Sequence, residues 1–315
     1  GDGSSDTITS HNQAEVTHTY SSAGNYEITI EGTLQGWQFN DTGDKLKIIE
    51  IKQWGNLDIS TNNAFFGCTN LDCSATDAPT ISSINLGNTF RSCTNFNGPI
   101  GNWDISSVTA MSAMFRDCST FNQPIQNWNT SNVTDMAELF FECFSFDQDL
   151  NSWDTQNVTT MFFMFFNCEQ FNGDIFSWNT GSVLNMNSML RNCDLFDQSL
   201  ASWNISNVTD FTNFMLNSTG LSTTNYDATL NGWDALSVTS GISINFGGSQ
   251  FTAAGNAARL SLVQDDSWTI VDGGLFNPTV ADYVSILTDN VNAQGGVVEN
   301  TTATQAFLQT LNDIS

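Results

Sequence analysis

Trp128-Asn129-Thr130-Ser131-Asn132-Val133-Thr134-Asp135-Met136, followed by Cys143 and then Phe146-Asp147, is one copy of a phrase written five times between Phe90 and Leu216. Trp103, Trp128, Trp153, Trp178 and Trp203 stand 25 residues apart, and the other positions return in step. Val108, Val133, Val158, Val183 and Val208 form one row; Met111, Met136, Met161, Met186 and Phe211 form the next. Cys93, Cys118, Cys143, Cys168 and Cys193 form a third, extended backwards by Cys68. Phe96, Phe121, Phe146, Phe171 and Phe196 follow three residues after each Cys. The last copy loses its register after Ser218.

A fixed period of this length belongs to solenoids and arrays. One coil cannot bury its own apolar face, so coils stack and share a core, with equivalent residues roughly 4.8 Å apart. Each row is therefore expected to run as a ladder. Within a coil, the M-x-x-M-F-x-x-C spacing predicts a short helical or 3₁₀ turn. The [IL]-x-x-W-[DN] region and the F-[ND] step suit short strands and bends. Asn97, Asn122, Asp147, Asn172 and Asp197 are expected to bond backbone at each bend, as structural residues first and ion ligands second. The fold class read from this pattern is a repeat solenoid of short strands and short helical turns, with a β-rich N-terminal cap and an α/β C-terminal cap.

Composition narrows the function. The 315 residues are 40% hydrophobic, enough for a core, and no stretch is long and apolar enough to predict a membrane-spanning helix. A net charge of -26, with seven Lys and Arg, repels phosphate backbones and anionic membranes. It suits an extracellular, saline or calcium-rich setting. No cofactor is implied: the acidic surface leaves room for calcium, but the Asp-x-Asp-x-Asp-Gly spacing with its distal Glu is missing. Seven Cys is an odd number. Stacked Cys have parallel Cβ vectors, which suits disulfides poorly and buried small hydrophobes well. Cys73 lies off the row; a bond to Cys68 stays open if the loop between them folds back.

Along the chain, residues 1–62 read as a β-rich cap. Val16 to Tyr20 and Tyr26 to Ile30 alternate around Gly24, a hairpin signal, and Lys45 to Ile51 is a further strand candidate. Residues 63–220 form the repeat region, starting with a degenerate coil at Asn63–Leu71, as terminal coils must cover the core on one side only. Residues 221–274 form a C-terminal cap: Ala253, Ala254, Ala257, Ala258 and Leu260 predict a helix, and Trp268 to Gly274 a final strand and turn. Residues 275–315 contain amphipathic candidates at Val280–Val291 and Thr304–Ile314, a helical tail or the start of another module.

These residues resemble the BspA-type leucine-rich-repeat surface proteins with 25-residue repeats. Gly1-Asp2-Gly3-Ser4-Ser5-Asp6 and His18-Thr19-Tyr20 look like the PKD-like leader that precedes such repeats. The leader's first strand has no counterpart here, since the sequence begins at that Gly-Asp-Gly turn. The Ala257-Ala258-Arg259-Leu260 run with Trp268 to Gly274 looks like their ending, while the tail beyond has no counterpart in the repeats. The resemblance implies a bacterial surface or secreted protein, often an adhesin, and makes the expected repeat solenoid a right-handed leucine-rich-repeat-like one.

Catalysis finds no support in the residues. His11 and His18 both lie in the leader, no carboxylate pair stands out against the repeating scaffold, and no phosphate loop or zinc motif occurs. Binding finds more. The row two residues before each Cys reads Phe66, Arg91, Arg116, Phe141, Phe166, Arg191, so three of the seven cations share it. Such a row must reach solvent, and Phe141 and Phe166 between arginines resemble an anchor patch. Phe144, Phe162 and Phe163 add aromatics where other coils carry Ser, Ala, Glu or Asn. The candidate ligand-binding set is Arg116, Phe141, Phe144, Phe162, Phe163, Phe166 and Arg191; the opposing reading has these Phe filling a flared core. The Trp row likewise reads as core packing or as a sugar-stacking platform, its place between apolar rows favouring the core. Expected partners are a protein, peptide or glycan on a host or neighbouring cell, engaged by a monomeric module of a larger protein. A structural spacer is the alternative.

Overall fold

The computed structural model describes residues 2–10 and 13–277. The helical segments expected at Val280–Val291 and Thr304–Ile314 lie outside them.

Successive coils stack in parallel. Single bridges join Asn85 to Ala110, Ala110 to Asp135, Asp135 to Thr160, Thr160 to Asn185 and Asn185 to Asp210. The stretch after each bridge carries most of the inter-coil bonding. Met111, Ala113, Phe115 and Asp117 donate backbone N–H groups to Asp135, Ala137, Leu139 and Phe141 of the next coil, at 2.7–3.0 Å. The intervening N–H groups close turns inside the coil: Met114 to Met111, Arg116 to Ala113 and Cys118 to Phe115. Such alternation needs two left-handed residues per coil, at Ala113 (φ 55°) and Asp117 (φ 62°), then Glu138 (φ 58°) and Glu142 (φ 58°), and so on along the stack.

This geometry corrects two expectations. The M-x-x-M-F-x-x-C segment is a run of turns and not a helical or 3₁₀ turn. A helix would spend every N–H within the coil, and stacking needs alternate ones pointing at the neighbour. The strand-like bridge falls between the Val and Met rows. The Trp region is instead a turn, closed by Trp103 N–H to the Ile100 carbonyl at 3.1 Å.

The Val, Met, Cys, Phe and Trp rows are buried. Phe90, Phe115, Phe140 and Phe165 stack with ring centroids 5.5–5.8 Å apart. A parallel stack runs through Phe96, Phe121, Phe146, Phe171 and Phe196 at 5.9–6.2 Å. The two stacks touch at 4.0–4.1 Å within each coil. Full burial of each ring contributes about 1.5–3 kcal/mol. Polar atoms inside are also laddered. The Trp128, Trp153, Trp178 and Trp203 indoles donate to carbonyls of the preceding coil at 2.8–3.0 Å. Each thiol from Cys93 to Cys193 does the same, reaching Phe65, Phe90, Phe115, Phe140 and Phe165. Ser218 takes over where the Cys row stops, its Oγ donating to Leu190 at 2.7 Å. At the bends, Asn97, Asn122, Asp147, Asn172 and Asp197 each accept, through a side-chain oxygen, the N–H of the equivalent residue one coil on, at 2.7–2.9 Å.

Both ends depart from the expected elements. No hairpin joins residues 16–30: Val16, Ile28 and Ile30 are exposed, and the main ring contact there is Tyr20 stacked on Tyr26 at 3.8 Å. A 3₁₀ turn at Ala14–Val16 precedes them. The strand expected at Lys45–Ile51 shrinks to β2 (Glu50–Ile51). Parallel pairing nevertheless begins before Asn63. β1 (Leu34–Gln35) pairs with β3 (Leu57–Asp58), and β2 with β4 (Asp72–Cys73), both at offsets slightly shorter than the repeat period. At the other end, α1 (Thr223–Asp234) and α2 (Ala253–Gln264) pack together, with β5 (Ser243–Asn245) parallel to β6 (Thr269–Val271). The helix expected from the alanine run is α2. The sequence reading missed α1, although Tyr226, Leu230 and Trp233 carry its spacing. The Arg259 side chain of α2 bonds Asp272 through two nitrogens, at 2.7 and 3.2 Å, and Tyr226 donates to the same carboxylate at 2.7 Å. Burial, with Asp272 beside it, pushes the Tyr226 phenol well above its ordinary range.

Candidate functional site

The residues after each bridge form an arc along one side of the stack, and the candidate row lies on it. The sequence places a polar or small residue at most arc positions outside the core rows. Residues 161–168, Met-Phe-Phe-Met-Phe-Phe-Asn-Cys, break that habit. Phe141 and Phe166 are half-buried and lie face to face, centroids 4.6 Å apart and planes 11° off parallel. Arg116 covers the outer face of Phe141 at 4.1 Å, and Arg191 covers that of Phe166 at 5.3 Å. Phe163 stands nearly perpendicular to both rings, at 5.9 and 5.1 Å, and Phe162 nearly perpendicular to Phe163 at 4.2 Å.

Six of the seven candidate residues thus come together, and Phe144 does not. It is 39% exposed, and among the described residues no ring contact links it to the others. It follows the Cys row, past the end of the arc, where the chain has already turned away. Phe141 and Phe166 present no open face to a ligand, because arginines and the partner ring cover those faces. Arg116 is engaged as well. Its guanidinium pairs with Glu138 and lies 3.8 Å from Asp117. Sequence reasoning did not reach Glu138. The two partners sit on neighbouring coils, and only the stacking offset reveals the pair. Arg191 differs in that, among the described residues, no carboxylate lies within ion-pair distance of it; its buried Nε is without a hydrogen-bond partner, as are those of Arg91 and Arg116.

Phe163 carries a second peculiarity. It occupies a left-handed backbone position, φ 54°. The same row holds Asn63, Asn88, Ala113, Glu138, Ser188 and Asn213. A bulky side chain there costs roughly 1–2 kcal/mol relative to glycine. Stacking hydrogen bonds hold the backbone in place, with Phe163 N–H reaching the Asn187 carbonyl at 2.9 Å. Nothing in the repeat asks for an aromatic at that point.

Other candidate chemistry is accounted for by packing. All seven cysteines are buried free thiols, so Cys68 and Cys73 are unbonded to each other. Burial raises the thiols, Cys68 to about 12 and Cys73 to about 11, and Cys118, Cys143 and Cys168 further. A thiol held protonated is a poor nucleophile and metal ligand. The Trp row from Trp103 to Trp203 is buried and offers no exposed platform; the last four indoles donate to the preceding coil, and the Trp103 indole has no partner. Among the described residues no three His, Cys, Asp or Glu gather as metal ligands, and no helix is long and apolar enough to cross a membrane. A shallow depression of about 350 Å³ beside Pro99 and Pro124 is lined by uncharged residues alone.

No curated protein and no solved structure matches this sequence significantly. A family model does, twice: the family described as Mycoplasma protein of unknown function, DUF285, aligns over residues 59–175 and again over 142–259. The two spans overlap and together take in the repeated coils, α1 and the first part of α2, so the chain belongs to that family.

Proposed function

We propose that this chain is the ligand-binding module of a bacterial extracellular surface adhesin, a leucine-rich-repeat-like solenoid of the BspA type that grips a protein, peptide or glycan on another cell or surface. One observation carries the reading. On an arc where other coils place mostly polar and small residues, with at most one Phe each outside the core rows, a single coil supplies Phe162, Phe163 and Phe166, and one of these rings stands on a strained backbone position. Strain retained against local preference points to a role beyond the fold. Half-buried aromatic clusters that reach the surface in this way mark contact surfaces. An oxidising exterior is compatible with seven free cysteines because each is buried and held as the thiol.

The competing reading is a spacer that binds nothing and holds neighbouring modules off the cell surface. It draws support from the self-saturation of the row, where Arg116 is paired and both stacked rings are covered. Adhesion of the purified chain to host-cell or bacterial monolayers separates the two. Binding that is lost in a Phe162→Ser, Phe163→Asn variant of unchanged melting temperature supports the adhesin. No adhesion by either protein supports the spacer, and equal adhesion by both moves the binding face away from the arc.

A further inference from the structure

Resting on that binding reading, we infer that the arc takes a peptide or protein segment presenting an apolar side chain beside a carboxylate, and not a sugar. Sugar rings stack on open aromatic faces. Here the order Arg116, Phe141, Phe166, Arg191 closes both faces of both central rings, with spacings of 4.1, 4.6 and 5.3 Å. Aromatic edges carry the positive end of the ring quadrupole and suit apolar side chains and oxygen atoms. Arg191 supplies the second element. Arg116 already has Glu138; among the described residues neither Arg91 nor Arg191 has a carboxylate in reach, but Arg91 donates to Asn88 at 3.3 Å and lies over Phe66, whereas Arg191 lies over Phe166 in the ring cluster. A planar guanidinium beside an aromatic edge is a fork for a partner's Asp, Glu or chain terminus.

The overall charge does not forbid this. The arc from Asn88 to Cys193 sets Arg91, Arg116 and Arg191 against Asp117, Glu138 and Glu142, so it is neutral on a molecule of charge -26. At physiological ionic strength the remaining acids are screened beyond about 8 Å. The same global charge keeps a second copy of this chain away, leaving a foreign segment as the occupant.

The test pans a random-peptide phage library, and in parallel an array of neutral and acidic glycans, over the immobilised chain, its Phe163→Asn and Phe162→Ser variants, and Arg191→Gln. Peptides joining an aromatic or aliphatic residue to Asp, Glu or a free terminus should be enriched. Both Phe variants should abolish that enrichment, and Arg191→Gln should weaken selected peptides about tenfold or more. If one Phe variant fails to fold, the other still decides. Glycans bound in a Phe-dependent way, or selected peptides without an acidic group, overturn the ligand class while sparing the binding site. No Phe-dependent binding in either arm overturns the site as well.

Discussion

Phe165 and Phe166 are neighbours in sequence and belong to two different regions of the molecule. Phe165 continues a ring stack through Phe90, Phe115 and Phe140, is fully buried, and is succeeded by Leu190 and Met215. Phe166 lies on the outer arc, half-buried, in a row where three coils carry arginine and two others phenylalanine. Inside, every coil must offer its neighbour the same shape, so each row stays apolar across the stack. Outside, stacking asks only for the backbone, so the side chains are free to differ. Departures from the repeat are therefore informative on the arc and costly in the core. The experiments that follow each set one region against the other.

The largest effect is expected from a charge in the core. Cys143→Lys would bury an ammonium group where a thiol now donates to the Phe115 carbonyl at 2.9 Å. An uncompensated charge there costs several kcal/mol and should abolish cooperative unfolding. Excising residues 143–167, one whole period, rejoins every row in register and should be milder. Urea titrations of both variants check the order. An excision more damaging than the single lysine would mean that the coils are not interchangeable.

Next comes truncation of adjacent rings. Phe140→Ala should cost about 3–5 kcal/mol, the usual figure for a large buried aromatic. Phe141→Ala should cost roughly 1 kcal/mol, because that ring is half-exposed and its row accepts arginine elsewhere. Equal losses in chemical denaturation would erase the distinction between core and arc and return Phe141 to the flared-core reading.

The core rows were legible in the sequence because packing repeats side chains, and side chains are what a sequence spells out. The Asn/Asp row was legible in role for the same reason. The left-handed rows were not: Asn88, Ala113, Glu138, Phe163 and Ser188 share a backbone conformation and no side-chain chemistry. Helix α1 was hidden for another reason. Trp233 serves both as a helix residue facing the core beside Tyr226 and Leu230 and as the next indole donor, to Leu200 at 2.9 Å. Reading it only as a displaced ladder Trp conceals the helix. The leader misled because alternation signals a hairpin only where some face has a core to cover, and Ile28 and Ile30 have none. On the arc, the gathering of Phe rings was visible from the period alone, whereas the Glu138 partner of Arg116 and the isolation of Phe144 depend on where the coil bends.

A smaller effect sets the thiols against solvent. Their folded-state values lie above the ordinary one near 9, so below that pH both folded and unfolded chains keep the proton and stability is undiminished. As pH rises past 9 the unfolded chain ionises first, and stability falls until the folded thiols titrate, near 12 for Cys68. Each thiol contributes roughly 1.4 kcal/mol per pH unit in that window. Cys143→Ser, which copies the hydroxyl donor of Ser218, should cost about 1 kcal/mol at pH 7 and flatten the decline by one thiol. Melting temperatures from pH 8 to 11 provide the measurement. An unchanged slope would mean that Cys143 is accessible and the core row open.

The smallest effect is expected where the comparison is sharpest. Phe163→Asn replaces an aromatic by the residue that Asn63, Asn88 and Asn213 place at the same left-handed position. Relief of backbone strain favours the variant by about 1 kcal/mol. Loss of the nearly perpendicular contacts with Phe141, Phe162 and Phe166 opposes it by about 0.5–1.5 kcal/mol for each well-formed pair, less for rings partly in water. Discounted for solvent, the three pairs come to roughly 1–2 kcal/mol in all, so stability by urea titration should stay within about 1 kcal/mol of the parent. A residue kept for packing would not show that balance, since its removal would leave a void and a loss of about 2 kcal/mol or more. A loss of that size would make Phe163 part of the core and remove the observation on which the binding reading stands. Near-neutral stability together with lost adhesion would instead place the ring's purpose outside the molecule, in whatever docks against the arc.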